Sequence, residues 1–239
     1  MEKGFLQAAA ENLQFVAVCV LVIAVLIGAA ALIEKKFLVQ NIASVRRTRY
    51  LTLCAMLGAL AMILHLFDFP VVFLAPGFYK LDFSEIPVMI GAFYLGPVAG
   101  VIIELVKILL KLVIKGTSTA FVGDLANFIV GCSFVVPAAL IYKYHKNKKG
   151  ALISMVAGSL SLMLIGSLLN YFVLIPAFSQ FYNLPIENIV SMGAAVNPLV
   201  SDLKSLVVCA VAPFNLVKGI VCSFLAMLLY KRVSKILHI

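Results

Sequence analysis

Seven apolar stretches, each long enough to enter a bilayer, are separated by loops whose Lys and Arg residues fall on alternate sides. A run of about 20 apolar residues crosses the roughly 30 Å hydrocarbon layer as a helix. The chain offers such runs at approximately 14–33, 49–67, 84–95, 97–115, 121–142, 151–176 and 205–230. The third is short, and a re-entrant or half-length helix ended at Gly96-Pro97 is expected there, because proline lacks a backbone donor and disfavours a helical residue before it. With 64% hydrophobic and 12% charged residues among 239, no water-soluble core could hide the apolar surface. The fold class expected is an all-α integral membrane protein.

Positive charge in short loops resists translocation. Lys35, Lys36, Arg46, Arg47 and Arg49 follow the first stretch, Lys143, Lys146, Lys148 and Lys149 follow the fifth, and Lys231, Arg232 and Lys235 close the chain. These are expected in the cytoplasm. The opposite loops hold Lys80, Lys115 and Lys204 but also Asp68, Asp82, Glu85, Asp124, Glu187 and Asp202. The N-terminus is then outside and the C-terminus inside. The net charge of +9 follows mostly from this topology signal, so no nucleic-acid partner is needed to explain it. The first stretch carries its positive cluster after the apolar run, unlike a cleaved signal peptide, and is expected to be retained. Cys19, Cys54, Cys132, Cys209 and Cys222 all fall inside apolar stretches without CxxC spacing, so they read as packing residues. His65, His145 and His238 are scattered and suggest no metal cluster.

Polar side chains at membrane depth are costly, which makes each one a candidate functional group. Asn127, Asn170, Asn215 and Lys218 lie about two to three turns into the last three stretches. Asn215 and Lys218, three apart, project from one helical face, and Pro213 just before them can free backbone carbonyls toward a cavity. Each Asn can serve either as a hydrogen bond between helices or as a ligand contact. Amides offer both donor and acceptor while Lys only donates, an inventory suited to a neutral small molecule rich in hydrogen-bonding groups. Glu104, Lys107, Lys111 and Lys115 form a stripe along the fourth stretch. Glu104 and Lys107 can pair internally, while Lys111 and Lys115 can snorkel to the outer surface. The loop from Phe67 to Glu85 is unusually aromatic and can cap a site by stacking or form part of an interfacial belt. Ser84, before Glu85 and Pro87, looks like a helix cap. Ala55 and Ala59, with Gly58 beside them, form a small-residue face able to dock another membrane protein.

Several segments together resemble one family. Lys80-Leu81-Asp82-Phe83-Ser84-Glu85-Ile86-Pro87, Gly91-Ala92-Phe93-Tyr94-Leu95-Gly96-Pro97-Val98-Ala99-Gly100 and Gly123-Asp124-Leu125-Ala126-Asn127-Phe128 are similar to the riboflavin-specific substrate-binding component of energy-coupling-factor transporters. So are Asn170-Tyr171-Phe172 with Pro176, Met192-Gly193-Ala194-Ala195-Val196-Asn197-Pro198 and Pro213-Phe214-Asn215-Leu216-Val217-Lys218-Gly219. The resemblance covers about residues 46–235. It implies a six-helix bundle over 46–239, preceded by an added transmembrane helix and linker over 1–45.

It further implies a multi-pass protein of a bacterial plasma membrane that captures riboflavin from outside as a transported ligand, with no cofactor. Asp82, Phe83, Gly91, Ala92, Asn127, Asn170, Asn215 and Lys218 are the implied ligand contacts, Gly91 and Ala92 giving the flat ring room and Phe83 or another loop aromatic closing over it. The Ala55/Ala59 face would meet a transmembrane coupling subunit, and two cytoplasmic ATPase subunits would drive the cycle. The chain has no Gly-x-x-x-x-Gly-Lys-Ser/Thr loop of its own, so it is not expected to be an enzyme. FMN or another vitamin is the nearest alternative ligand. A proton-coupled secondary transporter would show an inverted repeat and an unpaired titratable acid, and a membrane enzyme a nucleophile with its base or a metal cluster; neither pattern is seen.

Overall fold

The computed structural model describes residues 13–37, 47–117 and 121–237. Arg46 and His238 lie outside them. The order is α1 (Leu13–Phe37), α2 (Arg47–Leu66), the strands β1 (Phe69–Pro70) and β2 (Lys80–Leu81), α3 (Glu85–Leu95), α4 (Pro97–Lys115), α5 (Val122–Tyr144) and α6 (Lys148–Leu169). A π turn at Asn170–Leu174 leads into α7 (Ile175–Phe181), followed by α8 (Ile186–Ala194) and α9 (Leu203–Leu206). A second π turn, Val207–Val211, joins α9 to α10 (Ala212–Leu237).

Among the described residues, five continuous helical segments are long and apolar enough to cross a membrane: Ala17–Lys36, Arg47–Leu66, Val122–Tyr144, Lys148–Gln180 and Leu203–Val233. The two remaining sequence-predicted stretches differ for identifiable reasons. The 19-residue α4 carries the Glu104 to Lys115 charge stripe. The 11-residue α3 is too short, and every one of its residues is buried. A helix apolar all round belongs inside a bundle, and α3 packs against α2, α4, α5 and α10. At its end Gly96 adopts φ 123°, a conformation that disfavours side chains, and Pro97 opens α4 at its first turn.

The charge stripe is engaged inside the bundle. Lys107, wholly buried, pairs with Glu104 one turn away and with Glu85 at 2.9 Å. Lys111 does not snorkel outward as expected. It binds Asp124 at 2.7 Å and the Gly116 carbonyl at 3.0 Å, closing the α4–α5 connection instead. Ser84 also departs from its expected role. Its side chain makes no cap bond to the helix, and its backbone is helical where a capping residue is usually extended; its hydroxyl accepts from Lys107 Nζ at 3.3 Å.

Helix α1 packs along α4 and α5, burying Ala30 and bringing Cys19, Ile23, Leu26 and Ile27 against Val101, Ile108 and Phe128. Its Glu34 carboxylate accepts from the Val98 amide at 3.0 Å, satisfying an orphan donor at the start of α4. A Cβ at Gly96 would stand 2.9 Å from that carboxylate, so glycine is favoured there by space as well as by backbone angle.

Candidate functional site

At the end of the bundle away from the Lys143–Lys149 and Lys231–Arg232 clusters, six elements enclose a cavity of about 280 Å³. Gly123, Ala126, Asn127 and Val130 line it from one face of α5, the spacing of successive helical turns. Asn170 and Leu174 come from the first π turn, Phe178 from α7, Phe214, Asn215 and Lys218 from α10, His65 from the end of α2, and Asp68, Phe78, Tyr79, Lys80 and Asp82 from the β1–β2 hairpin and the residues flanking it. Both π turns border this region, and such turns rotate the residues beyond them out of the regular helical register. The second is also supported from outside, where Asn197 Nδ2 donates to the Cys209 carbonyl at 3.2 Å.

Electrostatically the site centres on Asp82. Its Oδ2 accepts from Lys218 Nζ at 2.9 Å and stands 3.6 Å from His65 Nδ1, while Oδ1 accepts from the Ser84 amide at 2.9 Å. Burial alone would raise this carboxyl, but the Lys218 ammonium beside it outweighs burial and holds Asp82 well below the usual carboxylate range. A second pair, Lys80 with Asp68 at 3.1 Å, sits on the more exposed side. Each lysine lining the cavity thus faces a carboxylate.

The amides divide into held and open groups. Asn170 Oδ1 accepts from Tyr79 Oη at 2.7 Å, and its Nδ2 donates to the Gly166 carbonyl at 2.8 Å. Asn215 is buried, yet its Nδ2 has no protein partner. An unmade buried donor is costly, and this one borders the cavity. Gly166 makes room for it, since a Cβ there would lie 2.7 Å from Asn215 Nδ2. The remaining wall is aromatic and aliphatic, with Tyr79 and Phe214 ring centroids 5.7 Å apart.

Of the residues expected to contact a ligand, Asp82, Asn127, Asn170, Asn215 and Lys218 converge on this cavity. Phe83 does not; its ring lies 5.8 Å from Phe69 and packs against the core. Gly91 and Ala92 are also elsewhere, pressed against α2 and α4: a side chain at Gly91 would collide with Ile103 of α4 and Leu57 of α2, and Ala92 meets Gly100. The sequence reading passed over His65, which becomes visible only when Asp82 folds against the end of α2. Phe78 and Tyr79 were legible only as part of an aromatic loop. The small-residue face stands apart from the site, with Ala55 exposed and Ala59 half-buried on α2, beside exposed Met56 and Leu60.

A helical membrane bundle with a polar, charge-balanced and partly aromatic cavity near one end has the form of a small-solute binding component. The family described as "ECF transporter, substrate-specific component" matches residues 49–230, and the chain belongs to that family. It is 34% identical over 194 residues to riboflavin transporter RibU of Staphylococcus aureus (strain TCH60), covering 81% of this chain and 95% of that protein. It is 33% identical over 187 residues to riboflavin transporter FmnP of Bacillus subtilis (strain 168), covering 77% and 91%. A solved structure of the S component of a bacterial ECF transporter superposes with a TM-score of 0.62 at 33% identity, covering 80% of this chain and 99% of that one. The family match begins within α2, so α1 lies outside it.

Proposed function

We propose that this protein captures riboflavin from the outer side of a bacterial plasma membrane and serves as the substrate-binding subunit of an energy-coupling-factor transporter. The observation that carries the reading is the cavity itself. The unpaired Asn215 donor, two further asparagines and the Asp82–Lys218 pair offer the donors and acceptors that a heterocyclic ring edge and a polyhydroxyl chain require. Phe78, Phe178 and Phe214 supply apolar faces for a flat ring. The same ligand class is carried in the names of the two relatives.

Because Lys80 and Lys218 are each neutralised by a carboxylate, the cavity favours neutral riboflavin over FMN, whose phosphate would enter without a spare cation. The charge asymmetry of the loops supports an outward-facing position for the Lys- and Arg-poor end, where the cavity lies. Partner ATPase subunits would power release inward, with the coupling subunit docking on the exposed Ala55, Met56 and Leu60 side of α2. The test is titration of riboflavin into the detergent-purified protein while following quenching of flavin fluorescence. One-to-one quenching that Asn215→Ala weakens, with FMN weaker than riboflavin, supports the reading. Unchanged flavin fluorescence overturns it.

A further inference from the structure

Resting on the flavin reading of the site, we infer that His65 determines which ligand charge the cavity accepts. With a neutral imidazole the cavity suits riboflavin, and with an imidazolium it gains the spare cation that the FMN phosphate requires. His65 lies in the last turn of α2, and its side chain lines the cavity while only 15% exposed. Its Nδ1 is buried with no hydrogen-bond partner. That atom stands 3.6 Å from Asp82 Oδ2, the oxygen that already accepts from Lys218 Nζ at 2.9 Å.

Among the described residues, the lining charges balance in pairs, Lys218 with Asp82 and Lys80 with Asp68. Asp82 Oδ1 is taken by the Ser84 amide, so once His65 is charged a single carboxylate oxygen faces two cations. One negative charge neutralises only one of them. Behind Ser84, buried Lys107 pairs with Glu85 of α3 and Glu104 of α4, the helices packed on α2. On α10, Cys222 approaches the Asp82 carbonyl at 3.7 Å. None of these four lines the cavity. A proton on His65 therefore leaves one uncompensated positive charge beside the ligand.

Imidazole is the side chain whose charge ordinarily changes between about pH 5 and 8, whereas ordinary carboxylates and ammonium groups change outside that interval. Over the same range a phosphate monoester keeps at least one negative charge, its second ionisation falling near about pH 6. A cation added inside a partly buried cavity favours an anionic ligand and does little for a neutral one.

Titration of riboflavin and of FMN into the detergent-purified full-length protein at about pH 8 and about pH 5.5, across the imidazole range, tests the role of His65 by quenching of flavin fluorescence. The ratio of the FMN to the riboflavin dissociation constant should fall about fivefold or more on acidification. His65→Gln and His65→Asn cannot take up the proton and should lose that pH dependence. His65→Lys, charged at both pH values, should show the low ratio at both. A ratio that stays constant with pH while riboflavin binds, or that changes equally in the neutral variants, would overturn the role of His65 and leave the flavin site standing. Absence of riboflavin quenching at both pH values would overturn the flavin reading and the role of His65 with it.

Discussion

Lys218 is tied to Asp82 and lines the same cavity as Asn215, so changing it alters both a buried charge pair and a proposed ligand contact. Lys218→Ala leaves the Asp82 carboxylate buried without its main partner, a loss of roughly 3–5 kcal/mol for such pairs. The single variant is therefore expected to lower the melting midpoint. Asp82→Asn/Lys218→Met, which removes both charges, should recover most of that stability yet still bind riboflavin weakly; fluorescence quenching beside a thermal melt separates the two effects. The pH behaviour follows from the depressed Asp82 carboxyl. Its stabilising contribution is fully present above the unfolded value of about 4 and is lost as pH falls through the lower folded value. Asp82-dependent loss of flavin binding is thus expected only below about pH 4, and Lys218→Met should move that loss to higher pH. Asn215 and Lys218 were legible because amides and ammonium groups are rare at membrane depth. The roles of His65 and Ser84 were not, since each depends on a residue brought near by folding.

Among the elements, α3 and α4 show how a local rule and a tertiary contact combine. Gly96-Pro97 marks a break on sequence grounds alone, but the α4 N-terminus it creates is capped from α1 by Glu34. Glu34→Gln keeps the shape and removes the charge that complements the helix dipole, a loss of about 1 kcal/mol. A small drop in melting midpoint with unchanged riboflavin quenching is expected; loss of flavin binding would show that α1 reaches the site. The two π turns had no signature in the hydropathy pattern, which reads through them as continuous apolar runs. One residue more per turn leaves composition untouched while re-aiming the side chains beyond it.

For the whole molecule, packing of the described residues divides into three apolar clusters. One fills the centre around α3 and a second underlies the β1–β2 connection and α8. The third joins α1 to α4 and α5. Among the described residues, the proposed flavin cavity draws no lining residue from α1. A chain beginning at about residue 46 is therefore expected to retain one-to-one riboflavin quenching with reduced thermal stability, since only the third cluster loses a wall. Absence of binding in a folded truncation would count against the separation of α1 from the binding bundle.

The chain by itself determined its solvent, because most of its residues can satisfy their backbone groups and bury their side chains only as helices in lipid. It also determined the break at Gly96-Pro97 and the small set of polar groups that any site would have to use. Tertiary structure alone decided which of those groups meet. Asp82 reaches Lys218 across 136 positions of sequence, Lys111 turns inward to Asp124, and Gly91 serves helix packing. Hydropathy reports how deep a residue lies, whereas its partners are set by the rotation and close approach of helices, which respond to packing volume and to pairing of buried charge.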